Sequence, residues 1–489
     1  MNNPEIIIIG GGLAGSEAAY QCAKRGIRVK LFEAKPAYKS PRIGSLDPRR
    51  VDSTAHKTEY LAELVCSNSL KSDEPTNAHG LLKAELRLLD SLLMRCAEKT
   101  RIPGGKALVV NRELFAQEVT KEISRLSNIE IIREEVTKIP EDGIVIIATG
   151  PLTSESLSKE LVKFFGDEHL FFYDAISPII SAQSINYNRT FFGSRYRDDT
   201  DYLNCPLTQE EYEKFYNELL KAEVFPLRDF EQTEEILTTE DTELPKTSQD
   251  VLQAPSVPSV TSVSSVVSQK FFEGCLPIEE IAKRGKDTLA YGPMKPVGLK
   301  NPQTGKTPYA VVQLRKENQE GTMYNLVGFQ TRLLQKEQKR IFGLIPGLEN
   351  AEFLRYGSVH RNTYIHAPQI IKPTLQTIKR ETLFICGQLC GVEGYVESIA
   401  TGLWSGINAF RIISGKEPVI PPIETMLGGL IKYITTPNKN FQPMNANFGL
   451  LPPPSSPPPT SGGGKRWGAR KQEYYDRSIQ SINQFLKIL

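Results

Sequence analysis

The most constraining feature of the chain is its opening. Glu5 to Gly15 reads E-I-I-I-I-G-G-G-L-A-G, and a second apolar run from Val29 to Phe32 ends at Glu33. An apolar strand that delivers the chain to Gly10, Gly12 and Gly15, followed by a helix-forming stretch from Ser16 to Arg25, builds a βαβ dinucleotide cradle. Gly10 makes the tight turn, Gly12 lets the backbone approach a pyrophosphate, and Gly15 lets the helix pack on the strand. Gly11, Leu13 and Ala14 complete the loop, and the free N–H groups at the helix start face the phosphates. Glu33, 18 residues past Gly15, falls where a carboxylate accepts the ribose hydroxyls of an adenosine.

The chain has 489 residues, which calls for two packed domains rather than one core. Its 39% hydrophobic and 24% charged residues fit a soluble globular protein. A net charge of +2 gives no global basic field, so any nucleic-acid contact must come from local patches. No apolar run approaches the roughly 18 residues of a membrane span, and the N-terminus lacks the basic lead of a signal peptide. Seven scattered cysteines without a CxxC pair point to reduced thiols and a cytoplasmic setting. Neither Cys386 and Cys390 nor the five histidines have metal-ligand spacing, so no metal is expected.

Along the chain, Lys35 to Lys57 reads as a long polar loop. Gly80 to Ala97 has helical apolar spacing. A strand at Ala107–Val110, a helix from Arg112 and a strand at Ile129–Ile132 follow. Gly143 to Gly150 is an apolar strand ending in Ala148, Thr149 and Gly150, similar to the segment that returns to the flavin-binding sheet of two-part flavoproteins. Thr382 to Gln388 is another apolar strand ending at glycine. Gly391 and a small-residue helix with Ala400, Gly402, Gly406 and Ala409 come next, and would close an FAD site through Gly387, Gln388 and Gly391. With no second GxGxxG, FAD rather than NAD is the expected resident cofactor. The stretch 230–269, acidic and then rich in Ser, Val and Pro, is expected to be a disordered insertion. Residues 452–464 form a Pro/Ser/Gly linker, and Lys465 to Leu489 a terminal helix with a basic start.

The expected fold class is therefore α/β: a Rossmann-like, discontinuous FAD-binding domain (1–153 and 366–425) with an inserted α/β substrate and tRNA domain (154–365). A C-terminal segment (426–489) follows.

Six segments are more specific than the glycine signature: G-G-G-L-A-G-S-E-A at 10–18, A-E-L-V-C-S-N-S at 62–69, F-E-G-C-L-P-I-E at 272–279, G-P-M-K-P-V-G at 292–298, Y-N-L-V-G-F-Q-T at 324–331 and Q-P-M-N-A-N-F-G at 442–449. On these the chain resembles the folate- and FAD-dependent tRNA uracil-5-methyltransferases (TrmFO) nearly end to end. The exceptions are the Lys39–Ser53 loop, the insertion and the proline linker. The resemblance implies methylation of the T-loop uridine of tRNA, position 54, at carbon 5. The carbon donor would be 5,10-methylenetetrahydrofolate, reduced FAD the reductant, and NAD(P)H the source that recharges it. The alternatives are a wobble-uridine modifying flavoprotein of the GidA/MnmG type and a non-catalytic FAD-containing tRNA-binding protein.

Such chemistry needs a soft nucleophile at uracil C6, a base for the C5 proton and a hydride for the exocyclic methylene. By the resemblance, Cys275 is the C6 nucleophile. Cys66 is a nearby base, protecting group or alternative nucleophile. Cys22 and Cys96 fall in helical patterns and read as core, and Cys205 as a loop thiol. Lys295, Gln313, Arg315 and Gln330 are candidates for folate. Lys283, Arg284, Lys286, Arg332, Arg340 and the Lys465–Lys471 cluster are candidates for tRNA phosphates.

Overall fold

The computed structural model describes residues 5–35, 58–166, 170–197, 199–225, 276–438, 441–453 and 464–489. Cys275, the 230–269 insertion, and most of the 35–57 loop and the proline linker lie outside the described residues.

The N-terminal layer forms as its hydrophobic periodicity predicts. β1 (Glu5–Ile9), α1 (Leu13–Ala23) and β2 (Arg28–Phe32) make the βαβ unit. After the loop come β3 (Ser69–Ser72), α2 (Ala78–Leu88), α3 (Leu92–Lys99), β4 (Arg101–Ile102), β5 (Ala107–Val110), α4 (Arg112–Ser124), β6 (Ile129–Ile132) and β7 (Ile144–Ile147). The helical pattern of 80–97 is split into two helices at Leu89–Ser91. Asp90 takes a left-handed conformation (φ 57°) and Ser91 caps α3 through its side chain. Buried Glu17 fixes the break by accepting the Leu92 and Leu93 N–H groups at 3.3 and 3.0 Å. Two free N–H groups of one helix start meeting this carboxylate are more stable than a continuous helix that would bury it unpaired.

The inserted portion contributes β8 (Leu170–Ile176), β9 (Ile179–Ser181), β10 (Phe191–Phe192), β11 (Tyr202–Leu207) and α5 (Gln209–Lys221). Then come α6 (Ile278–Lys283), β12 (Ala310–Lys316), β13 (Met323–Leu326), α7 (Gln335–Phe342), β14 (Phe353–Arg355) and β15 (Ser358–Tyr364). Its main sheet is antiparallel, in the order β10-β11-β12-β13-β9-β14, and β8 pairs with β15. Period-two alternation sorts β12: Val312 and Leu314 face a core with Phe215, Phe329 and Phe342, while Val311 turns the other way onto Phe191 and Leu299. Cys205, expected in a loop, lies inside β11 and is fully buried.

The chain then returns. β16 (Leu383–Ile385) completes the parallel sheet β16-β7-β1-β2-β6. α8 (Tyr395–Ile413) follows it, then α9 (Met426–Thr435) and, past the linker, α10 (Gly464–Phe485). Leu427, Leu430, Phe441, Leu451, Tyr474 and Ile482 share one core with the parallel sheet. The two helices flanking the cradle cross closely. A Cβ on Gly402 would lie 2.2 Å from the Ala14 carbonyl oxygen, and one on Gly406 2.8 Å from that of Ala18. Among the described residues, no helix is long and apolar enough to cross a membrane.

We expect Gly402→Val to lower unfolding stability by about 3 kcal/mol or more, because the α1 backbone cannot yield as a side chain would. Denaturant unfolding checks this, and a loss below about 1 kcal/mol would contradict the crossing.

Candidate functional site

The sequence-predicted cofactor residues converge at the C-terminal ends of the parallel strands, where ligands of open α/β sheets bind. Gly10 has φ 105°, and a Cβ there would strike the Ala148 carbonyl, which ties the first turn to the end of β7. A Cβ on Gly15 would lie 1.8 Å from the Gly10 oxygen. A Cβ on Gly12 would meet nothing within 4 Å, and α1 starts there without a side-chain cap, so that side of its N-terminus is open. Glu33 accepts the Gly11 N–H at 3.1 Å and the Lys35 N–H at 2.9 Å, joining loop to strand end. Thr149 bonds Thr153, and Gly150 opens a short 3₁₀ turn. Gly387 sits against Ala14 and donates to Thr401, while Gln388 donates to Glu393. Gly391 serves packing, since a Cβ there would enter the Phe441 ring. An open approach at Gly12 beside an uncapped helix start fits a pyrophosphate.

Cys66 is half-buried where the inserted sheet meets this layer, and its backbone is held on both sides. Arg112, the first residue of α4, donates to the Leu64 and Val65 carbonyls at 3.0 and 3.3 Å. Arg355, the last of β14, donates to Val65 at 2.9 Å. The Cys66 and Ser67 N–H groups both donate to the Tyr395 hydroxyl, at 2.7 and 2.9 Å. Arg315 of β12 donates to Ser67 Oγ at 2.8 Å and Asn68 Oδ1 at 3.0 Å, and Asn68 donates back to the Lys316 carbonyl. Arg112 also pairs with Glu317 at 3.0 Å. Burial pushes the Tyr395 hydroxyl up, with Cys66 adding to the shift and Arg112 opposing it. Burial lowers the Arg355 guanidinium, and the neighbouring Arg112 charge lowers it further. The other described cysteines are buried, and burial raises their thiols, to about 12 for Cys22, Cys96 and Cys390.

The family model "Glucose inhibited division protein A" matches residues 5–254 and 259–417. The protein named methylenetetrahydrofolate--tRNA-(uracil-5-)-methyltransferase TrmFO from Dictyoglomus thermophilum is 54% identical over 450 residues, 91% of each chain. The protein of the same name from Halalkalibacterium halodurans is 48% identical over 489 residues, the whole of both. The chain belongs to the TrmFO family. Its fold is similar to that of Aquifex aeolicus GidA in the form II crystal, with a TM-score of 0.62 at 17% identity, covering 99% of this chain and 74% of that one.

Other residues singled out in this TrmFO-family sequence are placed variously. Of the folate candidates, Arg315 reaches the Cys66 segment. Gln313 donates to Asn204 at 3.0 Å, Lys295 lies 5.5 Å over the Tyr196 ring, and the Gln330 carbonyl accepts from Ile278 at the start of α6. Of the tRNA candidates, Lys283 pairs with Glu280, Lys286 with Glu213, buried Arg332 with Glu280, and Arg340 with Glu218 and Glu337. Each of these cations is matched by a neighbouring acid. Arg470 and Lys471 lie on α10, and the Lys465 side chain lies outside the described residues. Sequence reasoning gave no role to Arg112, Glu317, Arg355 or Tyr395, whose partners lie from 47 to 329 residues away.

Glu397, in the first turn of α8, was missed too. It is fully buried and accepts the Ala446 N–H at 2.9 Å, with His79 Nδ1 at 3.2 Å. Burial alone would raise its carboxyl, yet Lys71, His79 and the Ala446 N–H hold it down to about 2. Lys71 occupies a left-handed conformation (φ 62°) within the irregular β3. A carboxyl depressed from 4.5 to about 2 contributes stability that is complete above about pH 4.5 and is lost as pH falls through 2. We expect Glu397→Gln to destabilise the protein by about 3 kcal/mol at pH 7, with the difference from wild type narrowing below pH 4.5. Urea unfolding across pH 2.5–7 measures this, and a pH-independent difference would refute it.

Proposed function

We propose that this chain methylates carbon 5 of the T-loop uridine, position 54, of tRNA. Its carbon donor is 5,10-methylenetetrahydrofolate, with FAD in the cradle and NAD(P)H supplying electrons. The carrying observation is 46–54% identity to proteins of that name across 91–100% of this chain. The fully formed cradle and the fixed Cys66 segment support it. Gly10 to Gly15, with the start of α1, would hold the pyrophosphate, Glu33 the ribose, and Thr149, Gly150, Gly387 and Gln388 the remainder of the dinucleotide.

Uracil C5 becomes nucleophilic once a thiolate adds to C6. We assign that addition to Cys275, in the segment F-E-G-C-L-P-I-E at 272–279. Carbon 5 then takes the methylene carbon from the folate. Its proton must leave to a base, and we assign that role to Cys66, a half-buried residue whose backbone is held on both sides. Loss of that proton expels tetrahydrofolate from the methylene carbon and leaves an exocyclic methylene; once a hydride has reached that carbon, the thiolate leaves C6 and the C5–C6 double bond re-forms. When bound and reduced, FAD supplies the hydride that converts the exocyclic methylene to a methyl group.

The test is transfer to unmodified tRNA with NAD(P)H and methylenetetrahydrofolate, run beside reactions lacking folate or given S-adenosylmethionine. Folate-dependent 5-methyluridine in the T loop is expected. Flavin-loaded protein that makes none would overturn the proposal and direct attention to wobble uridine. Because Gly12 borders open space, Gly12→Val should fold with apo-protein stability unchanged within about 1 kcal/mol yet purify without flavin absorbance. Normal flavin content in that variant would place the dinucleotide elsewhere.

A further inference from the structure

Three guanidiniums and one carboxylate surround the Cys66 segment. Arg112 comes from α4, Arg315 from β12, Arg355 from β14, and Glu317 from the residue after β12. Tyr395 of α8, raised by burial, contributes a neutral hydroxyl. Glu317 is spent on Arg112. Arg315 is bound to the neutral Ser67 and Asn68 side chains, and Arg355 to a single carbonyl. Among the described residues neither has a carboxylate partner. Arg315 is buried and Arg355 half-buried, and a guanidinium without a counter-charge is costly in proportion to its burial. A second sign of incomplete pairing lies at the same place: Glu317 Oε1 and Arg112 Nε are buried without any hydrogen bond. Beside Glu317, the titratable group of this cluster that can supply a negative charge is the Cys66 thiol, which lies close enough to act on the guanidiniums of both Arg355 and Arg112.

We propose that Cys66 is a resident thiolate, its charge held by the guanidiniums of Arg355 and Arg315, so that Arg355 is a positioning residue for the Cys66 proton. The thiolate is read without any substrate; only its use as the base for carbon 5 rests on the methyl-transfer reading above. A sulfur already deprotonated accepts the carbon-5 proton directly and becomes a neutral thiol. The guanidinium then loses its counter-charge, which favours returning the proton to solvent before the next turnover.

The experiment is alkylation of the flavin-loaded protein by iodoacetamide between pH 5 and 10. The tryptic peptide Thr58–Lys71, in which Cys66 is the only cysteine, is quantified by mass spectrometry. The expected midpoint for wild type lies at least one pH unit below the roughly 8.5 of a free thiol. Arg355→Gln keeps a donor for the Val65 carbonyl but removes the charge. It should raise the midpoint by about one unit, a tenfold loss of thiolate at pH 6. Arg355→Lys should restore it, and Glu317→Gln should move it the other way. A wild-type midpoint at or above 8.5, or coincident midpoints in wild type and Arg355→Gln, would overturn the proposal. If Arg355→Gln does not fold, an unmoved midpoint in Glu317→Gln overturns it equally. Shifted midpoints without methyl transfer would sink the reaction and leave the thiolate, whereas transfer with unshifted midpoints would do the reverse.

Discussion

The close crossing of α1 and α8 is the contact on which the rest of the molecule depends. It joins residues almost four hundred positions apart, with Gly402 over Ala14 and Gly406 over Ala18. The Cys22 thiol donates to the Gly406 carbonyl at 3.4 Å. Small residues let two backbones meet, so the crossing gains dispersion contacts that larger side chains would hold apart. Because both helices follow strands of one parallel sheet, the crossing sets their N-termini at the same end. The cradle at Gly12 and the Tyr395 hydroxyl that holds Cys66 are therefore positioned by one packing event. If the crossing loosened, cofactor loop and thiol segment would lose their common frame together.

Three buried glutamates illustrate how neighbours decide the meaning of burial. Glu17 accepts from the start of α3 and from Ser91, and Glu85 from the Met426 and Leu427 N–H groups at the start of α9 and from Ser478 of α10. Both are held by neutral donors, and burial raises both, Glu85 to about 7. Glu397 is buried as completely but lies near Lys71 and His79, and it moves to about 2. Desolvation is common to all three; the sign follows from whether cations are within reach. The first two act as staples between helices, while the third fixes a negative charge at the turn that opens α8.

Much of the fold was legible because its signals are local. The Gly10, Gly12 and Gly15 spacing, the apolar runs that became β1, β2, β7 and β16, and the small-residue face of α8 all announce themselves within a few residues. Breaks were harder. Nothing in the apolar spacing of 80–97 reveals that Glu17, far upstream, terminates one helix and begins the next. Cys205 looked like a loop thiol because Pro206 follows it. Yet Pro206 lies beyond the two residues of β10 that pair with β11, so one side of the strand is open there and the missing N–H breaks no ladder. Motif resemblance found Cys66 and named Arg315 for folate, but it gave no role to Arg112, Glu317, Arg355 or Tyr395 beside them.

Those residues escaped because each is ordinary in its own segment. Arg112 begins a helix, Arg355 ends a three-residue strand, and Tyr395 follows a glycine. Only the docking of the inserted sheet onto the parallel layer brings them to one cysteine. Arg315 and Glu317 arrive with β12, Arg355 with β14, and Tyr395 with the returning chain, while Arg112 and Cys66 belong to the first pass. A half-docked chain would leave the Cys66 segment with Arg112 but without Arg315, Glu317 and Arg355. The full set of charges around this thiol is thus a property of the assembled junction, complete only when the two layers meet.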